Sequence, residues 1–194
     1  MAELIDEASN LESTTVGVFR TAATVKGGRR FSFGSLVIVG NRRGRVGFGY
    51  GKSNEVPSAI EKAQKSAKRN LRPVKMIGGT ITHEVEGVFG SSRVRLIPAS
   101  PGTGVVAGAT VRSVLEMAGV TDCLTKCYGS TTSTNVVKAV FDGLSRLRHP
   151  GEIAELRGVE LGKTVIEERI ERAGGALVAS SGEEVSSAES SEDA

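Results

Sequence analysis

The chain has 194 residues, 39% of them apolar and 4% aromatic, with no tryptophan and a formal net charge of +3. That length suits one large domain or two small ones, and no apolar run approaches the roughly 20 residues that a membrane-spanning helix needs. The acidic start MAELIDEASN lacks the apolar core of a signal peptide, so a soluble, intracellular protein with no membrane partner is expected.

The modest net charge conceals its arrangement. Residues 1–15 hold four acids and no Lys or Arg, whereas residues 16–75 hold fourteen Lys/Arg against Glu55 and Glu61, giving +12. Residues 76–164 are near neutral at +1, and residues 165–194 carry −6. A module as basic as the second segment calls for a polyanion, and nucleic acid is the commonest one.

In chain order, residues 1–14 read as a polar arm with a turn or two of helix. A first strand is expected over 15–26 from Val16, Val18, Thr24 and Val25, and the glycine pair Gly27-Gly28 ends it. Residues 31–39 form a second strand, 40–44 (GNRRG) a hairpin loop, and 45–52 a third strand. The period then changes. Val56, Ala59, Ile60, Ala63, Ala67 and Leu71 recur at three- and four-residue steps, which predicts an amphipathic helix entered at Pro57 and left before Pro73. Lys62, Lys65, Arg69 and Arg72 fall on a second face of it. The first module, 15–75, is thus three strands and a helix.

From Met76 the composition changes. Residues 83–88 and 93–97 are strand candidates around a turn at 89–92, residues 109–118 and 135–147 are helix candidates, and 124–128 is a strand between them. Residues 76–150 therefore form a second, two-layer α/β module, and the fold class is α+β with two domains. Residues 151–194 are an extension, helical over 153–156 and 164–173, stopped by Gly174-Gly175. Its end, SSGEEVSSAESSEDA, is too polar to build a core and is expected to be disordered.

In the third strand Gly47, Gly49 and Gly51 alternate, so all three share one bare face, while Val46, Phe48, Tyr50 and Lys52 share the other. A backbone can approach the bare face closely; either RNA or a protein segment could supply it. Phe48 and Tyr50 are read as core beneath the 56–71 helix rather than as base-stacking platforms. Lys26, Arg29 and Arg30 crowd one glycine turn and Arg42, Arg43 and Arg45 the other, and no nearby acid is expected to neutralise them. Cations beside exposed backbone N–H groups suit phosphate contact, which positions a protein without reading bases.

Two nucleotide-site lookalikes fail on spacing. GFGYGKS at 47–53 lacks the first P-loop glycine, because Val46 stands there. Gly102, Gly104 and Gly108 are one residue too widely spaced for a dinucleotide fingerprint. A phosphate-ester enzyme using Lys52, Ser53 and the 102–108 loop is the alternative function, and saturable nucleotide binding would reveal it. Cys123 and Cys127, spaced CxxxC with only His83 and His149 as further soft ligands, are read as reduced thiols rather than a metal site. No catalytic constellation, cofactor or small-molecule substrate is expected.

VKGGRRFSF, GRVGFGYGK, EVPSAIEKA, PASPGTGVVAG, VLEMAGV and YGS…NVVKA, in this order and spacing, closely resemble the family of the fifth small-subunit ribosomal protein of bacteria, over roughly residues 15–165. The resemblance implies an N-terminal double-stranded-RNA-binding-like βββα domain and a C-terminal α/β domain with a left-handed βαβ crossover, against the usual preference. It implies a cytoplasmic, ribosome-bound protein that binds small-subunit ribosomal RNA where body, head and neck meet. The fourth and eighth small-subunit proteins would be its partners, and assembly and decoding accuracy its roles. Lys26, Gly27, Gly28 and Arg29 match the family loop reaching the neck RNA, and Gly104 and Arg112 match the interface with the fourth protein. Together the charge and the resemblance give an expected RNA-binding set of Arg20, Lys26, Gly27, Gly28, Arg29, Arg30, Arg42, Arg43, Arg45, Lys52, Lys62, Lys65 and Arg69. Ala23 departs from the family, since many members carry Lys there; so does Ser133, which replaces a common proline.

Overall fold

The computed structural model of the chain describes residues 11–159, 162, 164–166 and 168–172. Strands β1 (Glu12–Val25), β2 (Gly28–Gly40) and β3 (Arg45–Ser53) form an antiparallel meander, and helix α1 (Val56–Arg69) follows with a proline in its first turn. A two-residue strand, β4 (Arg72–Pro73), pairs with Arg45 and Val46 and closes the far edge. The first strand begins at Glu12, three residues before the sequence expectation, so residues 12–14 belong to the sheet and not to an arm. The helix ends at Arg69, which moves Arg72 off it and into β4.

Further along lie the small hairpin β5 (Met76–Ile77) and β6 (Thr80–Ile81), then β7 (Val85–Phe89), β8 (Ser92–Pro98), β9 (Val105–Val106), α2 (Ala109–Ala118), β10 (Cys123–Gly129), α3 (Ser133–Arg146) and α4 (Pro150–Arg157). The second four-stranded sheet has the order β7-β8-β10-β9, with β9 parallel to β10 and α2 connecting them. The architecture is α+β, as the sequence pattern predicts, and each of the two larger sheets has four strands rather than the expected three, the additions being the two-residue strands β4 and β9. Helix α4 starts at Pro150, three residues before the expected helical stretch, with His149 as its cap. Residues 165–172 are helical where described. The expected disorder of 180–194, and any helix within 1–10, lie outside the described residues.

The first sheet is covered on both faces, by two different parts of the chain. On one face α1 lies over Val37, Val39 and the glycine row. A Cβ built on Gly47, Gly49 or Gly51 would come within 2.6, 2.1 or 2.2 Å of the carbonyl oxygens of Ala67, Ala63 or Ala59. The bare strand face thus admits a protein backbone, that of α1 itself, whose contact residues Ala59, Ala63 and Ala67 are equally small and fully buried. The opposite face, with Leu36, Ile38, Val46 and Phe48, joins Val111, Leu115, Val137 and Phe141 of the second unit in one core. Phe48 packs against Phe141 with ring centroids 4.7 Å apart, so it anchors the two units to each other. The expectation that Phe48 and Tyr50 lie beneath the 56–71 helix is therefore wrong. Period-two geometry gives the helix the glycine side, because only a side without Cβ atoms lets a helix settle this close. Tyr50 is 47% exposed and lays its hydroxyl end over Gly34.

Candidate nucleic-acid interface

Strands β1 and β2 pair over thirteen positions, from Glu12↔Gly40 to Val25↔Gly28, which leaves a two-residue turn of Lys26 and Gly27. The inner end of β2 is buried continuously over residues 34–40, whereas residues 22–31 are all exposed. The hairpin therefore leaves the body as a two-stranded ribbon, a form with little stability of its own. Arg29 and Arg30 face Thr24 and Ala23 across it. As successive strand residues they point to opposite faces, so the tip is cationic on both sides. Midway down, the Arg20 guanidinium sits 4.7 Å from the ring centroid of Phe31, itself 46% exposed. A solvent-facing aromatic with a cation on it offers both a stacking surface and a phosphate ligand. Phe31 was absent from the expected site set; only the ribbon's exposure distinguishes it from a core phenylalanine.

Near the base of the ribbon Lys52 pairs opposite Gly34 and meets Lys62 of α1 across a concavity of about 400 Å³, also lined by Ser32, Ser53 and Asn54. The structure thus brings Lys52 and Lys62 together. Lys65 and Arg69 are exposed further along α1. The tip and the second basic turn lie at opposite ends of β2, about 40 Å apart at about 3.3 Å per residue.

That second turn meets a different environment. Arg42 takes φ +53, and its N–H donates to Met117 O at 3.1 Å, while the Gly44 N–H donates to Ala118 O at 2.8 Å. These are the last two carbonyls of α2. The preceding two, Leu115 and Glu116, accept from Gly119 and Val120. A helix C-terminus leaves four carbonyls without intrahelical donors, and here loop and cap satisfy all four. Asn41 Oδ1 accepts from the N–H groups of Arg43 and Arg45 and holds the turn in shape. The Arg42 guanidinium pairs with Glu12 at 2.8 Å. The expectation of no neutralising acid was thus wrong for Arg42, since strand pairing brings in an acid from thirty residues earlier. Among the described residues the ion pairs Lys75–Glu152, Arg95–Glu84 and Arg146–Asp142 lie elsewhere and leave out Lys26, Arg29 and Arg30.

Gly104 and Arg112 meet on one edge through Val105, whose carbonyl accepts from Arg112 Nη2 at 3.3 Å. Arg112 lines a cleft of about 520 Å³ with Arg42, Val105, Glu116, Gly119, Val120 and Thr121. The neighbouring glycine loop has its N–H groups turned inward: Gly104 donates to Asp122 Oδ1 at 2.9 Å, which takes that donor away from any phosphate and weakens the enzyme alternative. Cys123 and Cys127 sit four residues apart on β10, about 13 Å at strand rise, too far to share a metal or a disulfide. Both are free thiols, and burial pushes Cys123 up to about 11, leaving it protonated and unreactive near neutrality.

Two domain models of a single protein family match the chain, one after the other. Residues 11–75 match the model of the N-terminal domain of ribosomal protein S5, and residues 87–157 match that of its C-terminal domain. Together the matches span most of the chain, the first taking in the ribbon, the basic turns and α1, the second the sheet and helices behind them. The chain belongs to the ribosomal protein S5 family, RNA-binding structural constituents of the small ribosomal subunit that serve translation.

Proposed function

We propose that the chain binds ribosomal RNA at the junction of body, head and neck through the ribbon tip, with Lys26, Gly27, Gly28, Arg29 and Arg30 meeting phosphates and Arg20 adding a stacked cation. Lys52, Lys62, Lys65 and Arg69 extend the cationic track along the ribbon base and α1, and Arg43 and Arg45 add charge at its far end. The edge formed by Gly104 and Arg112 faces the fourth small-subunit protein, and the eighth is a further neighbour. Through these contacts the protein supports assembly and accuracy of decoding in the cytoplasm.

The observation that carries this reading is the ribbon itself: residues 22–31 project from a packed body with cations on both faces and are exposed along their whole length. Such a segment stabilises little in the free protein and gains most from an external polyanion. Tagged full-length protein should sediment with small subunits, and its absence from them would overturn the proposal.

A further inference from the structure

Asp122 is the one buried carboxylate among the described residues, only 8% exposed, and it takes no part in any of the ion pairs named above. It follows α2 and its cap and begins the turn into β10. Its Oδ1 accepts from the Gly104 N–H at 2.9 Å and its Oδ2 from the Thr121 hydroxyl at 2.7 Å. Burial pushes this carboxyl up, but the donors from Gly104, Thr121, Gly102 and Thr103 together outweigh burial and hold it below the usual carboxylate range.

The segment it holds is residues 100–104. Ser100 O accepts from the Thr103 N–H, closing a turn with Pro101 and Gly102 at its centre. Gly102 and Gly104 take φ +86 and +76, and a Cβ at either would meet nothing within 4 Å. No side-chain packing therefore fixes these two glycines, which are the residues with most backbone freedom to lose. What holds the end of the turn is the Gly104 N–H, whose acceptor is a carboxylate of the same chain. The same residue ties in a third segment, because the N–H groups of Thr121 and Asp122 both donate to Gly79 O in the β5–β6 turn.

We infer that Asp122 is a positioning residue for the edge that carries Gly104 and Arg112: its carboxylate is the internal anion around which the 100–104 loop takes a single shape. The inference rests on reading that edge as a protein-docking surface. Asp122 touches no partner; it determines which conformation of Gly104 a partner meets.

The test uses the full chain with Asp122→Ala and the near-isosteric Asp122→Asn, read by amide hydrogen exchange. In Asp122→Ala, protection of Gly104 should fall roughly tenfold or more, as the loss of charge-assisted hydrogen bonds implies, while the helices α2 and α3 keep theirs. Formate, a free carboxylate of the right size, should restore that protection. Asp122→Asn should give an intermediate loss that formate does not repair, and it stands in should the alanine variant fail to fold. Affinity for the fourth small-subunit protein should fall with loop protection, while RNA binding stays unchanged. Undiminished protection in either variant, or a loss in Asp122→Ala that formate cannot restore, overturns the anion role. A loop that loosens and is rescued without any change in affinity for the fourth protein leaves the clamp standing and removes the docking reading instead.

Discussion

The two basic glycine turns of the first sheet are nearly interchangeable as sequence, KGGRR against NRRGR, yet they end in opposite situations. The first closes a ribbon whose last ten residues touch little but each other. The second is bolted to the end of α2 by two backbone hydrogen bonds and carries an ion pair. Arginine at the first turn is available to a polyanion, whereas Arg42 at the second helps join the two halves of the protein. Similar charge density thus meets different surroundings: the Arg42 guanidinium is paired within its own chain, whereas those of Arg29 and Arg30 face solvent.

The largest effect that would break this contrast comes from the docked side. Gly119 takes φ +95, and a Cβ there would lie 2.2 Å from Arg42 O. Gly119→Val should therefore destabilise the protein by about 3 kcal/mol or more, combining left-handed strain with a clash that only undocking relieves. Urea unfolding midpoints measure it, and a cost below about 1 kcal/mol would mean the turn is not held there.

The converse holds at the tip. Reversing Arg29 and Arg30 together to Glu should leave stability within about 0.5 kcal/mol, since neither side chain is buried. It should abolish co-sedimentation with small subunits, or lower the salt dependence of RNA binding by about 1.5 in the log–log slope, at roughly 0.7–0.9 for each phosphate no longer neutralised. Full retention of both would show that the ribbon is not the RNA-binding element.

A finer test compares two replacements at Arg42. Both remove the pair with Glu12, whose partners are more than half exposed and contribute less than about 1 kcal/mol. Only glycine also relieves the φ of +53, so Arg42→Gly should exceed Arg42→Ala in stability by about 1 kcal/mol. Equal melting of the two would argue against a strained, docked turn. The smallest effect belongs to Gly27→Ala. Its Cβ would meet nothing within 4 Å, and thermal unfolding should shift by less than the equivalent of about 0.5 kcal/mol.

Much of the fold is legible in the residues themselves. The apolar steps of three and four mark α2 at its observed bounds and α1 and α3 within two residues, because burying one helix face imposes that period. The glycine alternation identifies a strand face that something must approach closely, and leaves open what. Strand pairing is where the residues fall silent: Glu12 lies thirty positions from Arg42, and only the β1–β2 register sets the two side by side. The ribbon's exposure, the stacking of Arg20 on Phe31 and the convergence of three segments on Asp122 are likewise contacts between residues distant in the chain.

The sequence by itself determined the two modules, their order, the basic character of the first and the family to which the chain belongs. These follow from local period, local charge and ordered motifs, none of which depends on what a residue later touches. The tertiary structure alone decided that the glycine face receives the chain's own helix, that Phe48 joins the two units, and that one of two alike arginine turns docks its backbone on α2. Those outcomes depend on which surfaces lie within a few ångströms of each other, and only the folded chain sets that distance.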